Sequence, residues 1–345
     1  MLQISDNYDL SGSNTFRMKA SCRRFISYDS IQDLASIRPA DLTGPVFHMG
    51  AGSNILLTGD YPGTVLFSRI KYYDILGDNG DEMLVEVGAG ATFDEFCSWA
   101  AAKHLWGAEN LSGIPGQTGA AAVQNIGAYG AEVKDIIVRL QCFNLETRRL
   151  EAIPVEKCAY AYRDSAFKHE PFKGKMIITG VLFRLSRSKG PNLSYKGLAQ
   201  AFTQASPKSP MEVREAVLGI RGAKLPAPSV MGSAGSFFKN PVVSPEDFCR
   251  ISGAEGEVPH FDLPDGSVKI PAAWLIDRCG LKGASVGGAQ VWESQPLVIV
   301  NRSGSASSSD VLALESLIIN TVNERFNIIL HPEVEHLGPG AEVKS

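Results

Sequence analysis

An α+β fold is expected, because runs with the period of strands and runs with the period of helices follow one another without regular alternation. Three observations carry that expectation. Short runs rich in Val, Leu and Phe lie at residues 45–49, 64–70, 83–87 and 175–185, and amphipathic helices begin at capping residues. Among them lies a stretch at residues 109–130, ENLSGIPGQTGAAAVQNIGAYG, that fits neither pattern. A chain of 345 residues is also long for one core and predicts two or three domains.

In chain order, Asp29 and Ser30 supply the cap of a helix expected over residues 30–38. The strand at 45–49 runs into Gly50-Ala51-Gly52-Ser53-Asn54. A strand feeding a G-x-G turn suggests a dinucleotide fingerprint, but the third glycine position is Ile55. At Gly88-Ala89-Gly90 that position is Phe93, so the fingerprint fails there too. The first run instead suggests a backbone nest for an anion, with Ser53 and Asn54 adding side-chain donors. Thr92 and Glu95 form a T-x-x-E capping box for a helix whose inner face is Phe93, Phe96, Cys97, Ala100 and Ala101. Beyond the glycine-rich stretch, Ile136, Val138, Leu140 and Cys142 alternate as in a half-buried strand.

A loose segment around Tyr195 follows, then a helix opened by Ser209-Pro210 and Glu212, with inner face Val213, Ala216, Val217 and Ile220. Residues 221–236 are turn-rich and read as a domain junction. A strand through Phe237 and Phe238, a helix over 272–279 closed by Gly280, and a strand at 296–300 are expected next. The serine run 303–309 reads as a loop and cap for a last helix with inner face Val311, Leu314, Ile318 and Val322. A strand through 328–330 closes the chain.

Composition excludes several function classes. The net charge of −4 gives no basic footprint, so nucleic acid is not an expected partner. Six cysteines lie far apart with no C-x-x-C pair, which predicts buried thiols in a reducing compartment and no metal site. The first sixteen residues lack a signal-peptide pattern, and no apolar run approaches the ~18–20 residues of a membrane span. A cytoplasmic monomer is the expectation.

The stretch 109–130 carries few side chains that could pack, so its use lies in its backbone. Glycine removes the Cβ from the approach path and lets N–H groups come close to something flat or anionic. A mobile linker is the alternative reading, against which stand Leu111, Ile114, Val123, Ile126 and Tyr129. Three further spots carry reactive side chains, the last two beside Gly or Pro: Tyr162-Arg163-Asp164-Ser165, the run 235–241 around Ser236, and His331-Pro332-Glu333-Val334-Glu335. Each has a plainer reading: a surface Arg–Asp pair, a serine in a turn, and a carboxylate on an exposed strand end. Taken alone, these residues indicate a globular protein that uses a nucleotide or a flavin.

Taken together, G-A-G-S-N, I-P-G-x-x-G, Q-N-I-G-A-Y-G, Y-R-D-S-x-F-K, A-G-S-F-F-K-N-P, W-L-I-D and H-P-E-V, in this order along nearly the whole chain, resemble the MurB family. These are the UDP-N-acetylenolpyruvoylglucosamine reductases of bacterial peptidoglycan synthesis. The loop around Tyr195 is similar to that of the longer of two subtypes, in which a tyrosine covers the substrate. The resemblance implies a vanillyl-alcohol-oxidase/PCMH-type fold. Two α+β domains, at 1–72 (with 328–345 packed on or near it) and 73–223, would clamp non-covalent FAD, and a third at 224–327 would bind the UDP-sugar.

It further implies FAD contacts from Gly50, Ala51, Gly52, Ser53, Asn54, Asn110, Leu111, Ile114, Pro115, Gly116, Gly119, Ala120, Gln124, Asn125, Gly127 and Arg221. Tyr162, Tyr195, Lys224 and Asn240 would bind UDP-N-acetylglucosamine enolpyruvate. NADPH would reduce the flavin, whose N5 then delivers hydride to the vinyl carbon. Arg163 would face the substrate carboxylate, Glu333 would help polarise it, and Ser236 would donate the proton to carbon, aided by Lys239 and desolvation. Another FAD oxidoreductase of the same fold, with flavin tethered through His48, and an inactive flavin- or UDP-sugar-binding protein are the rival readings.

Overall fold

The computed structural model describes residues 1–227 and 229–340. Its N-terminal sheet orders the strands Gln3–Asp9, Ser21–Tyr28, Tyr61–Ser68 and Val46–Met49, the first pair antiparallel and the others parallel. The first strand is absent from the sequence expectation because almost all of its residues are exposed, which leaves no alternation to detect. Ser30 caps the helix Ile31–Ser36 as expected, its hydroxyl accepting from the N–H of Asp33 at 3.0 Å.

The middle of the chain forms an antiparallel five-stranded sheet in the order Leu150–Pro154, Ile137–Asn144, Met176–Ser186, Glu82–Gly88, Tyr73–Asp78. Leu140 and Cys142 face the core as expected, but a register shift between Ile137 and Arg139 turns Ile137 inward in place of Val138. Phe143 on the opposite face is buried too, with Ile177, against Ile26, Tyr28 and Leu66 of the N-terminal sheet. This strand is therefore packed on both sides rather than half-buried. On the helix Phe93–Ala102 the expected inner face is buried, yet the Thr92 side chain makes no capping bond. The missing cap forgoes about 1 kcal/mol. Burying each large side chain such as Phe93 or Phe96 contributes about 1.5–3 kcal/mol, so packing decides.

The C-terminal sheet orders Gly232–Ser236, Val298–Asn301, Ala289–Val291 and Ser285–Val286. The expected junction at 221–236 is much shorter than its composition suggests. The helix Pro210–Lys224 continues through Lys224, and Gly232–Ser236 is a strand because it pairs with Val298–Asn301. Phe237 and Phe238 are fully buried but lie just past that strand, Phe238 bridging to Pro332. The last helix, Ser308–Phe326, has Ser307 and Asp310 in a reciprocal capping box. No strand forms at 328–330. The closing strand is Glu335–Leu337, parallel to Ile55–Leu57, and of the segment 328–345 residues 341–345 lie outside the described residues.

One continuous core joins the N-terminal sheet (Phe25, Met49, Val65) to the C-terminal unit (Phe237, Leu275, Leu314, Val322), while a second core lies wholly within residues 83–185. Chain start and chain end thus form one body facing the middle sheet. Four cysteines are buried and Cys279 is half-buried, whereas Cys249 is exposed, contrary to the expectation of buried thiols. Among the described residues no helix is long and apolar enough to cross a membrane.

Candidate active site

The seam between these bodies opens into a cavity of about 380 Å³. One side is the turn Gly50–Asn54, carried from the strand Val46–Met49. The other is the glycine-rich stretch, including Ile114, Pro115, Gly116, Gly119, Ala120, Gln124 and Gly127. Gly52 has φ +63°, and a Cβ there would come within 2.2 Å of the Ser13 carbonyl. A Cβ on Gly127 would lie 3.0 Å from Arg163 Nη1. These glycines let protein segments approach each other as well as a ligand.

Two expected donors are already engaged. The Ser53 hydroxyl donates to the Pro115 carbonyl at 2.9 Å, tying the two walls together. The Asn54 amide donates to the Glu333 carbonyl at 3.1 Å. What remains for an anion is backbone: the N–H groups of Ala51, Gly52, Ser53 and Asn54 donate to no other described backbone group. A nest of free N–H groups facing an apolar wall of Ile114, Ile126 and Ile178 fits a dinucleotide with a flat ring system.

The charged end is assembled from three remote segments. Arg163, in the left-handed region at φ +55°, occupies a tight turn closed by mutual hydrogen bonds of Ala161 and Asp164. The Ser165 hydroxyl anchors that turn to the Val123 carbonyl at 2.7 Å. Glu333 donates its N–H to the Phe237 carbonyl, and Glu335 donates its N–H to Asn54. The 331–335 segment is thereby held between the Ser236 loop and the Gly50–Asn54 turn. Arg163 Nε then meets Glu333 Oε1 at 2.8 Å, and its Nη2 donates to the Gly127 carbonyl at 2.6 Å. The surface Arg–Asp reading falls, since Asp164 pairs with His169 instead. Burial raises the Glu333 carboxyl above its ordinary range, against the opposing pull of Arg163, Lys168 and Lys239. Ser236, directly after Gly235, lines the same cavity.

At the other end, Arg221 and Lys224 reach the cavity from the last turn of the helix Pro210–Lys224. Tyr195 also lines it, its ring edge-on to Tyr129 with centroids 5.2 Å apart. Its loop is tethered by Asn192 Nδ2 to the Gly130 carbonyl at 2.9 Å.

Five expected contact residues do not line the cavity. Leu111 is core. The Asn110 amide donates to the carbonyls of Tyr129 and Asn192 at 2.8 and 2.9 Å, and the Asn125 amide to the Ala161 carbonyl at 2.8 Å. These three brace the wall from behind. Asn240 Oδ1 accepts from the Ala272 N–H, and the Tyr162 ring lies under Lys269 Nζ at 4.7 Å. Conversely, Tyr129, Gln117 and Glu335 line the cavity without having been singled out as contacts, and His48, the tether of the rival reading, lines it too. His48 bonds to the Tyr28 hydroxyl at 2.7 Å, and burial lowers its imidazole to about 4. Tyr129 and Gln117 stand in the glycine-rich stretch and Glu335 two residues after Glu333, so each carried a local sequence signal.

Residues 27–149 match the family model described as FAD binding domain, and residues 227–337 match that of the UDP-N-acetylenolpyruvoylglucosamine reductase C-terminal domain. Fold and site thus define a flavoprotein of the vanillyl-alcohol-oxidase/PCMH class with an added C-terminal domain. UDP-N-acetylenolpyruvoylglucosamine reductases of Bacteroides fragilis (strain YCH46) and Neisseria meningitidis serogroup A are similar over nearly the full length. The first is 42% identical over 335 residues, 97% of this chain and 100% of the relative. The second is 43% identical over 339 residues, 96% and 97%. The crystal structure of MurB from Thermus caldophilus has the same fold, with a TM-score of 0.67 at 24% identity over 98% of this chain and 99% of that one. The chain belongs to the UDP-N-acetylenolpyruvoylglucosamine reductase family.

Proposed function

We propose that this cleft reduces the enolpyruvyl ether of UDP-N-acetylglucosamine enolpyruvate to the lactyl ether of UDP-N-acetylmuramate, with NADPH as the source of reducing equivalents. The observation that carries this reading is the Arg163–Glu333 pair at 2.8 Å, in one cavity with Ser236 and the backbone nest. FAD would be held non-covalently by the N–H groups of residues 51–54 and the wall 114–127, and when bound it supplies hydride-transfer chemistry at the vinyl carbon.

Adding hydride to the terminal carbon of the vinyl ether leaves negative charge on its neighbour and on the attached carboxylate. Arg163 offsets that charge, its guanidinium already fixed by Glu333 and Gly127, so little reorganisation is needed as the charge develops. A raised Glu333 pKa favours its acid form, which can donate a hydrogen bond to the substrate carboxylate. Ser236 places a hydroxyl at the same end and delivers the proton to carbon, completing the reduction. Lys224 suits the anionic diphosphate side of a sugar nucleotide, Arg221 suits the flavin, and Tyr195 suits a cover over the sugar nucleotide, as in the longer subtype. A cytoplasmic monomer is part of this reading.

The test is anaerobic. NADPH should bleach the bound flavin, and UDP-N-acetylglucosamine enolpyruvate should restore the colour while forming UDP-N-acetylmuramate. Denaturation should release the yellow cofactor from the chain. Bleaching with no return of colour would sink the proposed substrate.

A further inference from the structure

Lys168 ends the single turn Ala166–Lys168 and stands behind the charged end of the cavity without lining it. Its ammonium donates to Gln124 Oε1 at 2.5 Å and to the Arg163 carbonyl at 2.8 Å. An ammonium can only donate, so the Gln124 amide must offer it oxygen. The donor NH₂ of that amide is thereby directed away from Lys168, on a residue that lines the cavity. The second bond clamps a carbonyl in the left-handed turn from which the Arg163 guanidinium springs. One side chain thus fixes two groups of the site from the rear.

Its charge has a further consequence. Arg163, Lys168 and Lys239 all favour the ionised form of Glu333, while burial opposes it, and the Tyr162 hydroxyl also senses Glu333. Lys168 in turn is faced by Glu333, Glu335 and Asp164 and by the like charge of Lys239, and burial pulls its own pKa down. Glu335 lines the cavity and is likewise raised by burial, opposed by Lys168 and Lys173.

We infer that Lys168 is a positioning residue for the reduction, orienting the Gln124 amide and the Arg163 turn and supplying part of the balancing charge for Glu333. The inference rests on the reading of the site given above. It is tested with Lys168→Met and Lys168→Gln holoprotein beside the wild type, each half-reaction being followed by stopped-flow across pH. UDP-N-acetylmuramate binding to the oxidised protein is measured by calorimetry.

Both variants should retain FAD and bleach with NADPH close to the wild-type rate. Return of colour with the enolpyruvyl sugar should slow about ten- to hundredfold, the scale of a misplaced catalytic group. Removing a cation makes a neighbouring carboxyl harder to ionise, so the pH limb contributed by Glu333 should move to higher pH in the rate and in product binding. Should Lys168→Met fail to fold, Lys168→Gln decides: its amide is shorter, carries no charge and can accept as well as donate, so it fixes neither the Gln124 amide nor the Arg163 turn as the ammonium does. A folded, FAD-replete variant with an unmoved limb and an unslowed colour return overturns the inference. Equal slowing of both half-reactions with an unmoved limb overturns it too, because loss of packing alone would do that. If the wild type itself bleaches and never recolours, the reading of the site has failed, and the role of Lys168 falls with it.

Discussion

Between Gly50 and Asn54 and along residues 114–127 the cleft offers backbone, whereas at Arg163, Ser236 and Glu333 it offers charge and a hydroxyl. The first region is built by removing side chains until two loops almost touch, with Ser53 bonded to Pro115 across the gap. The second is built by bringing side chains from distant parts of the chain into one cavity, with Arg163 and Glu333 2.8 Å apart. The first region should therefore be sensitive to added volume, felt as lost cofactor. The second should be sensitive to lost functional groups, felt as lost rate.

The largest effect should follow from Ser236→Ala. Colour return with the enolpyruvyl sugar should slow by about a hundred- to ten-thousandfold, the usual worth of a placed proton donor. Flavin content and NADPH-driven bleaching should stay as in the wild type. If both half-reactions slowed alike, the division of labour between the two regions would be lost.

Gly52→Ala should do the reverse. A methyl group at φ +63° and within 2.2 Å of the Ser13 carbonyl forces the turn to shift. The flavin-to-protein absorbance ratio should drop about tenfold if two or more of the nest N–H bonds are lost. Turnover per bound flavin should change little; a variant that kept its flavin would blunt the contrast.

A small effect outside both regions sharpens the comparison. Glu109 is buried, its carboxylate accepting from the Gly107 N–H at 2.5 Å, and burial raises its pKa. The folded-state pKa then lies above the unfolded one, so ionisation penalises the fold. That penalty is absent below the unfolded pKa and grows as pH rises through the folded one. Glu109→Gln should therefore raise Tm by a few degrees at pH 8 and by less at pH 5, with both half-reactions unaltered. A lower Tm at pH 8 would contradict this sign.

Much of this was legible in one dimension. The glycines at 50, 52, 116, 119 and 127 and the three reactive side chains stand in short local motifs, and all of them line the cavity. Less legible was which groups face the ligand and which brace the wall. Asn110 and Asn125 sit inside the same motifs as Gly116 and Gly127, yet their amides are spent on backbone carbonyls behind it. Lys168 is a single charged residue in a short turn, and only its contacts with Gln124 and Arg163 set it apart from a solvated lysine. The closing strand was misplaced for a related reason: Ile329 is apolar but 59% exposed, while Glu335–Leu337 forms a strand because Ile55–Leu57 lies beside it.

The amino-acid order by itself determined where glycine frees the backbone, which faces of the helices would be apolar, and which reactive side chains the chain carries, since these follow from residue type and spacing of a few positions. Tertiary structure alone decided that Arg163 and Glu333 meet, that Asn54 is spent on the Glu333 carbonyl, and that chain start and end share one core. Contacts between residues well over a hundred positions apart depend on how whole sheets pack, and no local pattern encodes that.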